Sequence, residues 1–350
     1  SPYMYQDNVI ALDLAKNVIQ VCILDKQNQI KSNRELRRQQ VLGWLAKQSP
    51  SVVAMEACGS AHYWAKQARA LGHQPVLLSA RFVKKFVEGH KTDKNDAVAI
   101  GIAVRQPNLK PVGIKNDDQL ALQALEKMRQ HYQDIALATS NMVRAIVFEF
   151  GLVIPQGEKA FRERLPDILE DAENGLPMML RAPLHQQYQF WISLKQQVRE
   201  AEKQLRAQLK THEQCNELQK LDGVGPVNAL NLYLALGTRG EAFKNGREAA
   251  ACIGLTPKQH SSGGKVVMLG ISQRIAKKQL RANLIQGALA KIKIVAKRPP
   301  KNTREVWMKQ LIERRGLRRA AVALANKTVR MAWAMVHYQQ PYQAPESVTI

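Results

Sequence analysis

Four acidic residues stand where acids are out of place. Asp13 lies inside the apolar run Val9-Ile-Ala-Leu-Asp-Leu-Ala15, and Glu56 closes a second, Val52-Val-Ala-Met-Glu56. Asp93 and Asp96 sit three apart in Lys91-Thr-Asp-Lys-Asn-Asp96, just ahead of the apolar stretch Ala97–Val104. A carboxylate at the end of a buried strand loses hydration free energy unless something pairs with it. The chain has 52 Lys+Arg against 29 Asp+Glu, a net charge of +23, and in it a divalent metal pair is an attractive partner for such acids. Carboxylate oxygens are the hard ligands that Mg²⁺ prefers. Two such ions about 4 Å apart clamp the attacking and leaving oxygens of a phosphodiester. Each acid alone carries little. Asp93 also suits a helix N-cap, as does Ser60. Asp13 also suits the first strand of an actin-like ATPase, but that phosphate loop wants Asp-x-Gly and Ala15 stands in the third place.

A second group of reactive residues lies in Gly254-Leu-Thr-Pro-Lys258-Gln-His-Ser261-Ser262-Gly-Gly-Lys265, followed by Arg274, Lys277, Lys278 and Arg281. A serine before two glycines lets a phosphate approach the backbone closely. The cations after it, Lys265, Arg274, Lys277, Lys278 and Arg281, suit a phosphate and its pentavalent transition state. A serine needs activation to become a nucleophile. A metal or a carboxylate of the four-acid group supplies it if the two parts meet. On composition alone, a flexible Ser/Gly turn explains the segment better. Upstream, Leu221-Asp-Gly223-Val-Gly225-Pro-Val-Asn-Ala229 resembles a helix-hairpin-helix turn, which offers backbone N–H groups at a helix N-terminus to a phosphate. The alternative is that Gly223 and Gly225 only cap helices.

The elements that must hold these residues are readable from periodicity. Strands are expected at Val9–Leu14, Val18–Leu24 and Ile30–Leu36, with a polar turn at Asp25–Asn28. A helix near Gln40–Lys47, a strand at Val52–Met55, a helix at Ala61–Leu71, a strand at Gln74–Ser79 and a helix at Asp93–Arg105 follow. The order βββαβαβα is that of the ribonuclease H-like fold, antiparallel strands first and parallel strands with crossover helices after. Leu125, Met128, Tyr132, Ile135, Thr139, Met142 and Ile146 then step as a heptad seam. Trp191, Leu194, Val198, Ala201, Leu205 and Leu209 make a second, weaker one. An antiparallel helical hairpin fits both, either as a dimerisation arm or as packing within one subunit. Beyond Leu218 the sequence predicts a helix near Glu241–Cys252, a loop over Gly254–Leu269 and a basic helix near Ser272–Lys291. A Pro299-Pro300 linker and a helix from Arg304 to Val336, broken at Gly316, complete the chain.

With 350 residues and 45% hydrophobic content, there is material for two or three cored domains. The charge is concentrated: residues 256–330 hold 19 Lys+Arg and 2 Asp+Glu. That points to a phosphate-binding face and a nucleic-acid partner before a membrane. No apolar run spans a bilayer, and no secretory signal is read. The four cysteines, Cys22, Cys58, Cys215 and Cys252, form no close pair, which argues against zinc or disulfides and for a cytoplasmic location.

Asp13, Glu56, Lys91-Thr-Asp-Lys-Asn-Asp96, Gly254-Leu-Thr-Pro and Ser262-Gly-Gly together resemble the DEDD transposases of insertion sequences, the Piv-like recombinases. The likeness covers about residues 8–340. It implies an α/β plus α chain in three parts: a RuvC-like catalytic domain over 1–112, a helical coiled-coil or dimerisation region over 113–216, and a mostly helical C-terminal transposase domain over 217–350. The family's four acids, with Mg²⁺, fall on Asp13, Glu56, Asp93 and Asp96. Its nucleophilic serine falls on Ser262, with Ser261 the second choice. Gly223, Gly225, Lys258, Lys265, Arg274, Lys277, Lys278 and Arg281 are the candidate nucleic-acid contacts. The expected partners are donor and target DNA, a structured non-coding guide RNA and further copies of the chain, as dimer or tetramer, near the bacterial nucleoid. The rival readings are a RuvC-like structure-specific endonuclease, which needs no Ser262, and a non-catalytic nucleic-acid-binding protein.

Overall fold

The computed structural model describes residues 8–90, 92–262, 265–271 and 277–347, with the backbone alone at 260–262, 265 and 266. Strands β1 (Asn8–Leu14), β2 (Val18–Asp25), β3 (Ile30–Arg37), β4 (Val52–Glu56) and β5 (Gln74–Leu78) form one sheet in the order β3-β2-β1-β4-β5. The first three pair antiparallel, and β1–β4 and β4–β5 pair parallel. The parallel strands are joined by helices α1 (Arg38–Leu45) and α2 (Ala61–Ala70), and a short α3 (Ala80–Val83) and α4 (Asp93–Ala103) follow β5. This is the mixed α/β sheet that the strand and helix signals predict.

Alternation along the strands builds two cores. Ile10, Leu12, Ile19, Val21, Val53, Met55 and Leu77 face α1 and α2, where Val41, Leu45, Trp64 and Ala68 meet them. Val9, Ala11, Cys22, Leu24, Val52, Ala54 and Val76 face α4 through Ala97, Ile100 and Ala103. Helix α4 lies very close to the sheet. A Cβ on Gly101 would sit 2.5 Å from Leu24 Cδ1 and 3.5 Å from Ala11 Cβ.

After α4 the chain is largely helical: α5 (Asp117–Phe148), α6 (Glu158–Glu170), α7 (Met178–Leu209), α8 (Glu213–Leu218), α9 (Pro226–Leu236), α10 (Gly246–Ile253), α11 (Lys278–Ala296) and α12 (Thr303–His337). Two compact units form, each from three stretches of chain. One comprises Ser1–Asp117, Ala235–Lys278 and Asn326–Gln340; the other comprises Asp118–Leu234, Gln279–Ala325 and Pro341–Ile350. In the first unit Trp333 Nε1 donates to Gly240 O at 3.0 Å, Asn326 Nδ2 donates to Leu255 O at 3.3 Å, and Lys110 pairs with Glu248.

Several sequence expectations are corrected. The loop expected over Gly254–Leu269 is a hairpin, β6 (Pro257–Ser262) and β7 (Lys265–Ile271), paired antiparallel. The helix expected near Glu241 starts at Gly246, where the Asn245 side chain accepts from Glu248 N–H. The basic helix starts at Lys278 among the described residues and runs to Ala296; residues 272–276 lie outside them. The first heptad seam is buried only in part. Thr139 is buried, and Tyr132, Ile135 and Ile146 pack against the core that Ala136, Val143 and Val147 enter, while Met128 and Met142 are 47% and 44% exposed. Next to Leu125 and Met128 of the seam, Glu126 and Arg129 are buried as a pair, with Arg129 donating to Glu126 at 2.7 and 3.0 Å. The second seam is buried within the chain: Trp191 and Leu194 of α7 pack in one core with Val143 of α5 and Phe161 of α6.

Part of the charge downstream of residue 217 is neutralised internally. Glu305, almost wholly buried, accepts from Lys291 at 2.9 Å and from Arg298 at 2.8 Å. Asp222 meets Lys291 at 2.9 Å and Arg304 at 3.2 Å. Beside Asp222, Gly223 has φ +76°, and a Cβ there would lie 2.6 Å from the Gly287 carbonyl carbon. Gly223 therefore serves a close backbone crossing with α11.

The Arg298 hydrogen bond, then those of Lys291 and the Lys301 N–H, hold the Glu305 carboxyl down to about 2 from 4.5. A depressed carboxyl contributes stability that is fully present above its unfolded value. That contribution is expected to fade as pH drops from about 4.5 through about 2. Glu305→Gln is expected to cost about 2–3 kcal/mol at neutral pH, below the value for a fully buried pair because its cations are partly hydrated. Urea unfolding of wild type and variant across that pH range checks both: the difference should shrink in acid.

Candidate metal centre

The alternation that builds the core also aims the acids. In β1 the residues facing α4 are Val9 and Ala11, and Asp13 is next in that series. In β4 they are Val52 and Ala54, and Glu56 is next. The parallel register pairs Leu12 with Met55, so Asp13 and Glu56 stand one step further along neighbouring strands. Helix α4 brings Asp93 and Asp96 in its first turn, where acids are favoured by the helix dipole. Its N-cap is Thr92, whose hydroxyl accepts from Asn95 N–H at 3.3 Å, so Asp93 is not the cap.

The result is a carboxylate cluster. Asp13, Asp93 and Asp96 each place one oxygen within 4.8 Å of the others. Asp13 and Asp96 are half-buried and Asp93 is exposed. Glu56 lies outside that group of three, yet it is close by. The Cys58 thiol is pushed up by burial first and then by the charges of Glu56 and Asp13. Oxygens on opposite sides of one hexacoordinate Mg²⁺ are about 4.1 Å apart, and around Ca²⁺ about 5 Å. The three carboxylates therefore fit a divalent cation after small side-chain rotations, and their all-oxygen donor set suits a hard one.

Sequence reasoning missed the residues that hold α4 in register. Gln20, opposite Asp13 on β2, is buried and donates to Asn33 Oδ1 at 2.7 Å. Asn33 Nδ2 in turn donates to the carbonyl of Lys94 at 3.1 Å, between Asp93 and Asp96. The one signal in the sequence is Gln20 as the polar interruption of Val18–Leu24.

The serine group is placed less fully. Ser262 ends β6 and pairs with Lys265, the first residue of β7. The hairpin lies in the same compact unit as the acids. Lys258 and Lys278 are exposed, and Arg281 is half-buried. Burial lowers the Lys277 ammonium, and burial, then the Lys277 charge, lowers Lys115. Gly263, Gly264 and Arg274 lie outside the described residues, as do the side chains of Ser261, Ser262 and Lys265. Gly223 and Gly225 precede α9, in the other unit.

Residues 10–150, which contain all four acids, match a transposase family model of the DEDD, IS110 type. Residues 215–302, which contain the hairpin, match the Transposase IS116/IS110/IS902 family. The chain is 36% identical to the transposase for insertion sequence element IS1111A of Coxiella burnetii, over 96% of this chain and 91% of that one. The chain belongs to the IS110-type DEDD transposases. It is 35% identical to a probable family 20 transposase of Pseudomonas aeruginosa, over 95% and 98% of the two chains. It is 33% identical to the transposase for insertion sequence element IS1328 of Yersinia enterocolitica, over 93% and 96%. It is thus a DNA transposase, and its DEDD-type domain implies a divalent metal. No helix among the described residues of this transposase is long and apolar enough to cross a membrane.

Asn33→Ala removes the bond to the Lys94 carbonyl without touching a carboxylate. Loss of such an outer partner is expected to weaken metal affinity about 10–100-fold. Mn²⁺ titration followed by the shift in melting temperature checks this, with unchanged affinity the contrary result.

Proposed function

We propose that this transposase is an RNA-guided DNA recombinase that breaks and rejoins DNA by transesterification. Asp13, Glu56, Asp93 and Asp96 hold Mg²⁺, and Ser262 is the nucleophile. The observation that carries the reading is the carboxylate cluster of Asp13, at the end of β1, with Asp93 and Asp96 in the first turn of α4. Bound there, the metal would supply charge stabilisation at phosphorus and lower the pKa of an attacking hydroxyl. The carboxylates' part is to fix that charge at one point. The serine's part is to attack. Ser262 Oγ gives its proton to water as it bonds to phosphorus, the P–O bond to the DNA leaving oxygen breaks, that oxygen takes up a proton to become a hydroxyl, and the phosphoserine ester stores the bond energy for religation. The return step has a DNA hydroxyl displace the serine.

The cations Lys258, Lys265, Arg274, Lys277, Lys278 and Arg281, with the turn at Gly223 and Gly225, are proposed to bind nucleic acid. A structured non-coding RNA is proposed to pair with donor and target DNA, and the transposase to work as a dimer or tetramer at the nucleoid in the bacterial cytoplasm. The proposed division of labour is catalysis in 1–112, helical association in 113–216, and strand handling in 217–350.

Strand exchange with donor and target DNA and the co-purified RNA is the test. Asp13→Asn, Glu56→Gln, Asp93→Asn and Asp96→Asn are each expected to abolish it, and double variants to be no worse than singles, since residues acting as a unit are non-additive. EDTA is expected to do the same. On a denaturing gel a protein–DNA adduct marks the recombinase, whereas free cleaved ends alone mark a nuclease. Ser262→Ala is expected to give no adduct. An adduct that persists in Ser262→Ala moves the nucleophile elsewhere, with Ser261 the first place to look.

A further inference from the structure

Helix α12 carries a basic arc that the proposed reading leaves without a role. From Glu313 to Arg319 every residue is exposed, and the sequence there is Glu-Arg-Arg-Gly-Leu-Arg-Arg. Gly316, at φ 76° and ψ 167°, breaks the helix at the centre of that arc. A Cβ on Gly316 would meet nothing within 4 Å, so the glycine serves the backbone turn and not a packing contact. A side chain there would be strained by the positive φ alone. Among the described residues, Arg314, Arg315, Arg318 and Arg319 take part in no ion pair; Arg314 Nε donates to the Gln310 carbonyl at 3.3 Å. Their situation contrasts with Lys291, Arg298 and Arg304, whose charges meet Asp222 and Glu305 in the same compact unit. Arg318 and Arg319 also follow a helix start, where cations are disfavoured by the dipole. Four guanidinium groups around one break repel each other and lower stability unless a polyanion is present.

We propose that Arg314, Arg315, Arg318 and Arg319, turned outward at the Gly316 break, grip duplex DNA across a minor groove, with Leu317 against the groove floor. This rests on the transposase reading above. Guanidinium groups suit the strongly negative potential of a narrow minor groove. Leu317, 39% exposed between the two arginine pairs, is the apolar wedge that minor-groove binders insert between base steps. The wide, shallow minor groove of duplex RNA offers neither feature.

The experiment is a salt titration of full-length protein binding to a short mixed-sequence DNA duplex. Changing all four arginines to alanine is expected to reduce the slope of log affinity against log salt by roughly 3–4, at about 0.9 per phosphate contact. The pairs Arg314→Ala/Arg315→Ala and Arg318→Ala/Arg319→Ala should each remove about half of that, so a poorly folded quadruple variant leaves the proposal testable. Leu317→Ala is expected to keep the slope and reduce the bend read by energy transfer between the duplex ends. An unchanged slope in well-folded variants overturns the grip, as does a slope that falls for structured RNA and not for duplex DNA. An unchanged bend in Leu317→Ala overturns the wedge. The two readings fail separately. Absence of metal-dependent strand transfer by the wild type sinks the transposase mechanism, and an unchanged slope in a protein that still transfers strands sinks the grip alone.

Discussion

Carboxylates held within 4.8 Å of one another repel, and the α/β part of the protein is arranged around holding them there. Two unit charges at about 4 Å repel by about 1 kcal/mol in water and several-fold more near a half-buried surface. The cluster therefore exists because stronger constraints impose it. Strand pairing fixes Asp13 beside Glu56, since slipping β1 against β4 by one residue would turn every apolar side chain of that strand to the wrong face. The tight approach of α4, permitted by Gly101, carries Asp93 and Asp96 to the same end of the sheet. The Gln20–Asn33–Lys94 chain then ties the first turn of α4 to β2 and β3. A divalent cation converts the repulsion into attraction, which is why such a cluster reads as a binding site rather than as surface charge.

Positive charge in the protein divides into two kinds. Lys291, Arg298 and Arg304 meet Asp222 and Glu305, where they hold helices α11 and α12 and the turn before α9 together. Arg129 does the same for α5 through Glu126, which also accepts from Asn231. These charges belong to the fold. Lys258, Lys278 and the arginines around Gly316 are exposed instead. A net charge of +23 overstates the binding face, because part of the basic excess over 256–330 is structural.

The legible part of the sequence was the part with a clean period. Alternation in Val9–Leu14 and Val52–Glu56 gives strands, faces and the aim of Asp13 and Glu56, and the apolar run after Asp96 gives α4. What failed shares a cause. The first part of the α5 seam departs from the pattern where Glu126 and Arg129 are buried as a pair, because a hydrophobic pattern does not register a buried polar pair. The hairpin at Pro257–Ile271 reads as a loop in the sequence because its first strand, Pro-Lys-Gln-His-Ser-Ser, has no apolar residue after its proline, and exposed Val267, Met268 and Leu269 run consecutively without alternating. Asn33 was invisible because its partner lies 61 residues away. The two compact units, each stitched from three stretches of chain, likewise have no local signature.

The central claim is that Asp13, Glu56, Asp93 and Asp96 form one divalent-metal centre. The most direct measurement is anomalous X-ray scattering from a crystal of the full chain soaked in Mn²⁺. The account predicts an anomalous peak about 2.0–2.3 Å from carboxylate oxygens of Asp13, Asp93 and Asp96, with Glu56 bound directly or through water. Well-ordered, separated carboxylates with no peak between them at saturating Mn²⁺ would contradict it.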